Sequence, residues 1–313
     1  MIVELRRGTV VESRHTVHVA VVDGDGRLVA YAGDPSFVTY WRSAAKPFQA
    51  MPLIDDGVAE RFKLTSEDLA LVCASHSSEP GQVAKVRELL QKIGCSERDL
   101  LCGPHRPLSE PVAKDYETRG VRLTAVYSNC SGKHSGMLAL AKHHGWPTEF
   151  YTRLEHPVQQ RCLAEVSRWT EVPAAQMGVG VDGCGVACFA LPLANMARAY
   201  ARLEGPTLDA MVRHPELIAG EGRPCTEMMR AHPGRVITKV GAEGVYSALL
   251  VAEKLGVALK VEDGHSVASA LAMAAVLGQL GLKPQPESLL ARPTQNSRGE
   301  TVGEMRVNGG LVR

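Results

Sequence analysis

The sequence predicts an α/β protein of the α+β kind: a mainly antiparallel, mixed sheet flanked by helices, forming a single domain over residues 1–313 or two intimately packed lobes. Three observations predict it. The chain opens on a hairpin pattern, its middle is dominated by helical periodicity, and a strand pair and a closing strand come late. No Pro/Ser-rich linker divides it, and no repeat or low-complexity segment interrupts it.

In chain order, "HTVHVAVVD" and "RLVAYAGD" are rich in β-branched residues and are joined by the turn signal "GDGR". Residues 47–60 carry helical character broken by Pro47 and Pro52. Pro47 disfavours α geometry at Lys46, which places Ser43–Lys46 at or just ahead of a helix N-terminus. "EDLALVCASHSSEP" reads as a buried strand ending in a polar turn, and "GQVAKVRELLQKIG" as a helix with a glycine stop. After an irregular part with "CGPHRP", "SNCSGKHSGMLALAKHHGWP" reads as a helix closed by Gly-x-Pro. "AQMGVGVDGCGVACFALPLANMARAYARL" predicts a strand, a Gly-rich turn and a helix. "RVITKVG" and "GVALKVEDG" predict strands around a helical "EGVYSALLVAEKLG". "HSVASALAMAAVLGQLG" predicts a buried helix and "TVGEMRVNGG" a closing strand.

Bulk properties narrow the function. At 45% hydrophobic and 22% charged residues the chain has an ordinary globular composition. Its 35 Lys and Arg against 34 Asp and Glu create no global field, and no basic block meets interleaved aromatics, which argues against nucleic acid. The N-terminus lacks a secretory pattern, and no apolar run is long enough for a bilayer, so a cytoplasmic protein with reduced cysteines is expected.

Four clusters carry chemistry. Ser43 and Lys46, three apart, form a Ser-x-x-Lys: a serine is a weak nucleophile unless a base is close, and a lysine serves when burial or nearby cations lower its pKa. By spacing alone the pattern reads as a solvated lysine beside a turn serine. Arg42 offers a carboxylate a guanidinium, and Ser75 with His76 ends an apolar segment. On a helix, Cys130, Lys133 and His134 share one face, and Cys184 follows Asp182 in a Gly-rich turn. Cys130 and Cys184 are soft donors for zinc, though the chain has no C-x-x-C pair. In "GVALKVEDG", Lys260 alternates away from Val257, Leu259 and Val261, toward either a site or water.

Taken in order, "WRSAAKPFQA", "CASHSSEP", "CGPHRP", "NCSGKHSGML", "VDGCG", "KVGAEGV", "ALKVEDG" and "VGEMRV" resemble the zinc-binding type of the L-asparaginase II family, across almost the whole chain. The resemblance implies a fold similar to serine β-lactamases and penicillin-binding proteins. It implies Ser43 as nucleophile with Lys46 as partner, and Ser75 with Lys260 as a second Ser-Lys pair. It also implies zinc on Cys130, Lys133 and Cys184, substrate contacts from Arg42, His134 and Asp182, and a homodimer. Two positions depart from the family pattern, which has Gly where this chain has Ser78 and Asn where it has Ser128.

Three alternatives follow. A penicillin-recognising enzyme shares Ser-x-x-Lys, but Ser-Asp-Asn and Lys-Thr-Gly are missing. A glutaminase differs by one substrate methylene, a discrimination of about 1–3 kcal/mol. A non-catalytic zinc or amino-acid sensor would have no need of two serine–lysine pairs.

Overall fold

The computed structural model describes residues 1–313. Strands β1 (Ile2–Arg7), β2 (Val10–Val22), β3 (Leu28–Ala32) and β4 (Val38–Tyr40) open the chain. Helices α1 (Lys46–Ala50), α2 (Pro52–Asp55), α3 (Val58–Arg61), α4 (Ser66–Cys73), α5 (Pro80–Lys92), α6 (Glu110–Thr118), α7 (Ser131–His144) and α8 (Pro157–Thr170) follow. Next come β5 (Gly178–Val181), β6 (Ala187–Pro192), α9 (Leu193–Ala201), α10 (Pro206–Arg213), α11 (Pro215–Ile218) and α12 (Pro224–Ala231). The chain closes with β7 (Val236–Val240), β8 (Val245–Leu250), β9 (Leu255–Val261), α13 (Ser266–Gln279), β10 (Ala291–Gln295) and β11 (Thr301–Asn308).

The chain forms two compact units. The first comprises Met1–Ala44, Leu191–Leu203 and Glu227–Arg313. Its sheet runs β10-β11-β1-β2-β9-β8-β7, with β3 also on β2, and its ladders are antiparallel. The 13-residue β2 joins the halves: Val10–Thr16 lies along β1, and Val17–Val22 along β9. Helix α9 packs on β9 so tightly that a Cβ at Gly256 would stand 1.9 Å from the Ala197 carbonyl oxygen. The apolar α13 covers β8 and β9 as well.

The second unit comprises Ala45–Ala190 and Glu204–Thr226. Helix α7 is its axis, buried all round from Ser131 to Ala141: its first turns carry the polar Ser131, Lys133, His134 and Ser135, and Met137–Ala141 is apolar. It closes at Gly145, whose φ of 70° is left-handed. A Cβ at Gly132 would lie 2.2 Å from the Leu71 carbonyl oxygen, so glycine lets the α7 and α4 backbones touch one residue before Lys133.

The mainly antiparallel sheet with helices is as the sequence predicts, and the first hairpin, α5, α7, α9, α13, β7, β9 and β11 form where expected. Four segments differ, one being Ala187–Pro192, which pairs with β5 as strand β6 where the helix was expected to follow the Gly-rich turn directly. "EDLALVC" is helix α4, not a strand: Thr65 and Asp68 close a reciprocal capping box, with Thr65 N–H donating to Asp68 at 2.8 Å. "GVYSALL" is β8, not a helix, since Val245–Leu250 is buried throughout between β7 and β9 and so lacks alternation. Lys46 is helical, because Pro47 sits in the first turn of α1, where its missing N–H leaves nothing unpaired. Pro52 divides α1 from α2 as expected, whereas α2 and α3 part at Gly57, whose φ is 76°.

Candidate active site

In the first unit, Ser43 lies half-buried in a 3-10 turn, Arg42–Ala45. The turn is fixed from both sides. Trp41 Nε1–H donates to Ser247 Oγ at 3.1 Å, and the Tyr200 hydroxyl donates to the Ala44 carbonyl at 2.8 Å. Arg42, directly before Ser43, has a φ of 52°, a left-handed conformation that costs a non-glycine residue about 1–2 kcal/mol. Lys260 sits on β9 between His18 of β2 and Val245 of β8, and its Nζ donates to the Glu243 carbonyl. Burial lowers the Lys260 pKa, and the Glu243, Asp263 and Glu262 carboxylates only partly oppose it. Glu243 is itself left-handed, with φ 58°.

In the second unit, Lys46 is fully buried, and its Nζ donates to the Ala74 carbonyl at 2.5 Å and to Ser75 Oγ at 3.0 Å. Ser75 stands where the chain leaves α4 in an extended conformation, its N–H bonded to the Ile218 carbonyl at 2.9 Å. His76 locks this segment onto α7. Its Nδ1 accepts from Ser78 N–H (3.1 Å), so the ring proton is on Nε2 and is donated to Ser131 Oγ (2.8 Å), which donates to the Val126 carbonyl (2.9 Å). Burial first, then the Lys46 and His105 charges, push the His76 pKa down to about 3, so the ring stays neutral.

Ser78 explains its own departure from the family pattern. Its φ is 60°, which glycine adopts without strain, and its hydroxyl donates to the Tyr127 carbonyl at 2.6 Å. Ser78→Gly exchanges that hydrogen bond for relief of strain, two opposing terms of about 1 kcal/mol each, and is expected to leave stability nearly unchanged. Ser78→Ala loses the bond and keeps the strain, and urea unfolding is expected to show a loss of about 1–2 kcal/mol.

The third group gathers around α7. Cys130 is its N-cap, Lys133 lies one turn on, and Cys184 is carried by the Asp182–Gly185 turn. Asp182 Oδ1 accepts from Gly183 N–H at 2.8 Å. Lys133 Nζ donates to Cys184 Sγ at 3.1 Å, and the Cys130 thiol donates to Asn129 Oδ1 at 2.8 Å. The nearby Cys130 sulfur lowers the Cys184 pKa and Lys133 adds to this, while Cys184 and burial raise that of Cys130. Burial alone would discharge Lys133, but the two sulfurs and Asp182 outweigh it and raise its pKa. A thiol, a thiolate and an ammonium thus neutralise one another in the interior.

His134 is fully buried, its Nδ1 bonded to the Tyr151 hydroxyl at 2.7 Å, which accepts from Leu101 N–H at 3.0 Å. Burial and the Lys133 charge lower its pKa to about 3. Its Nε2 has no partner in the protein, an expensive state that a bound ligand would relieve.

No group of three His, Cys, Asp or Glu side chains is arranged for a metal. Cys130, Lys133 and Cys184 fall outside that set because one member is a lysine. Lys133 Nζ against Cys184 Sγ, with the Cys130 thiol one helical turn before Lys133, is a donor set that suits zinc with one position left over, provided Lys133 and both thiols deprotonate. The structure also brings in residues the sequence reading missed. Tyr151 orients His134, His105 accepts from Asn129 N–H at 3.0 Å beside Cys130, and Lys239 is a second fully buried lysine on β7. For Lys239 the available signal was a lysine inside an otherwise apolar strand, "VITKV".

A buried serine–lysine contact with polar groups around a core helix in one unit, and an antiparallel sheet with helices in the other, fit an asparaginase-like amidohydrolase. The family model described as L-asparaginase II matches residues 3–307, and the chain belongs to that family. No curated protein matches it. Among solved structures it is similar to a candidate β-lactamase from Bacteroides dorei, at 14% identity and TM-score 0.44, over 85% of this chain and 93% of that one. It is also similar to a β-lactamase from Mycobacterium bovis (13%, TM-score 0.35, 84% and 94%). A third is an octameric penicillin-binding protein homologue from Pyrococcus abyssi (14%, TM-score 0.35, 84% and 73%). Similarity at that level assigns neither substrate nor catalytic residues. No helix is long and apolar enough to cross a membrane.

Proposed function

We propose that the chain is an L-asparaginase that hydrolyses the side-chain amide of L-asparagine to L-aspartate and ammonia through a serine acyl-enzyme. The observation that carries this reading is the buried Lys46 Nζ bonded to Ser75 Oγ, in a member of the L-asparaginase II family. Ser43 Oγ attacks the carboxamide carbon and its proton passes to Lys46. Lys46 returns the proton to the leaving nitrogen, the C–N bond breaks, and ammonia departs. Water then attacks the ester, and its proton re-forms the Ser43 hydroxyl as aspartate leaves. Ser75, already hydrogen-bonded to Lys46, extends this proton path, and Lys260 is its partner in the second pair. Arg42 and the buried His134, whose Nε2 meets a substrate polar atom, help to hold the substrate, and Asp182 orients it.

Cys130, Lys133 and Cys184 would hold zinc, whose charge would help to position the substrate rather than generate hydroxide. Metal analysis of the purified protein is expected to find zinc in wild type and little in Cys184→Ser. Chelation is expected to raise KM or lower Tm while kcat persists. Loss of turnover with KM and Tm unchanged would overturn the positioning role.

Ammonia release from L-asparagine and L-glutamine, compared as kcat/KM, tests the substrate, with asparagine expected to lead. Preference for glutamine would make the protein a glutaminase, and tight asparagine binding without turnover would make it a sensor. The cytoplasmic homodimer remains part of the proposal, and light scattering reads the oligomeric state.

A further inference from the structure

Arg223 is an unusual arginine in this chain. It is half-buried, and its one side-chain hydrogen bond runs from Nη1 to Ser77 Oγ at 3.1 Å. It makes no ion pair, although a guanidinium carries five N–H donors in a fork suited to a carboxylate. The half-buried Arg161 shows the usual solution, with its fork closed on Asp56 and Glu165.

The location of Arg223 is specific. Residues 218–223 are laced to residues 75–79. Ser75 N–H donates to the Ile218 carbonyl at 2.9 Å, Ser77 Oγ donates to the Ala219 carbonyl at 2.8 Å, and Glu221 N–H donates to Glu79 Oε1 at 2.7 Å. Gly220, with φ 112°, makes the close approach possible, since a Cβ there would stand 2.5 Å from Glu79 Oε1. Glu79 Oε1 on this lacing accepts from Glu221 N–H, and neither Glu79 nor Glu221 forms an ion pair with Arg223. Ser77, which carries Arg223, is two residues from Ser75, a Cα separation of at most about 7 Å. That is the scale of an amino-acid amide with its carboxylate on a guanidinium and its amide at a serine–lysine pair.

We propose that Arg223 anchors the α-carboxylate of the substrate, making it the residue that selects α-amino-acid amides over uncharged amides. The inference rests on the amidohydrolase reading and assigns to its site a recognition element on the Ser75 segment. Ser77 Oγ orients the fork by accepting from Nη1, and the donors it leaves over receive the carboxylate. A lysine there would supply charge without the fork, so it replaces arginine only in part.

The test compares L-asparagine with L-aspartic diamide, in which a neutral amide replaces the carboxylate, in wild type, Arg223→Gln and Arg223→Lys. Wild type is expected to prefer asparagine. Arg223→Gln is expected to lose about 10–100-fold in kcat/KM for asparagine, mainly through KM, and to change little on the diamide. Arg223→Lys is expected to recover part of the loss. Parallel losses on both substrates, or an unchanged KM for asparagine, would overturn the assignment. Equal wild-type efficiency on the two substrates would overturn it too, without any variant having to fold. A wild type that releases no ammonia from either compound would sink the amidohydrolase reading, and this inference with it.

Discussion

Ser43→Ala is expected to remain folded and to lose at least about 10⁴-fold in kcat for ammonia release from L-asparagine, the scale on which removing a nucleophile acts. The structure makes this a clean substitution. The Arg42–Ala45 turn is held by the Trp41 indole, the Tyr200 hydroxyl and the burial of Ala44, none of which needs the Ser43 side chain. Circular dichroism and Tm should therefore match wild type, and a burst of acyl-enzyme should vanish with the turnover. If turnover survives in Ser43→Ala and disappears in Ser75→Ala, the nucleophile is Ser75, whose hydroxyl already meets Lys46.

Lys46→Met is the second large effect, with an expected loss of about 10²–10⁴-fold in kcat, as for a positioned general base. It also has a structural cost, because Nζ serves both the Ala74 carbonyl and Ser75 Oγ in the interior. A fall in Tm is thus expected beside the fall in rate. The double variant Lys46→Met/Ser75→Ala separates the two: groups that pass one proton act as a unit, so the double variant should be hardly slower than Lys46→Met alone. Multiplying rate losses would instead mean that Lys46 and Ser75 act on different steps.

How much of this was legible depended on the kind of signal. Helix α5 was read from its period, because one face is dry and the other wet, and the β2–β3 hairpin from its β-branched residues and turn signal. The failures are apolar runs buried on all sides. In β8 and α4 the hydrophobic pattern carries no phase, so burial alone suits a strand or a helix equally. The Thr65–Asp68 capping signature was in the sequence and would have settled α4. At the candidate site, Cys130, Lys133 and His134 were placed on one helix by their spacing, and Cys184 was drawn to them through the family resemblance. The bond from Lys46 to Ser75 was not legible, since it links residues 29 apart through the exit of a helix that had been read as a strand. Arg223 carried no local signal at all. What marks it is the lack of a carboxylate partner beside its bond to Ser77, which only a three-dimensional arrangement reveals.

Seven non-glycine residues adopt left-handed backbone conformations, and three of them adjoin candidate catalytic groups: Arg42 before Ser43, Ser78 on the Ser75 segment, and Glu243 under Lys260. The other four, Lys63, Phe150, Glu171 and Lys254, are exposed. For anyone wishing to extend the working lifetime of this protein, the two sets are not equivalent. Glycine at the four outlying positions sheds a penalty of about 1 kcal/mol each where no chemistry is at stake. The three at the site are better left alone, since relaxing them would trade durability against the aim of Ser43, Ser75 and Lys260.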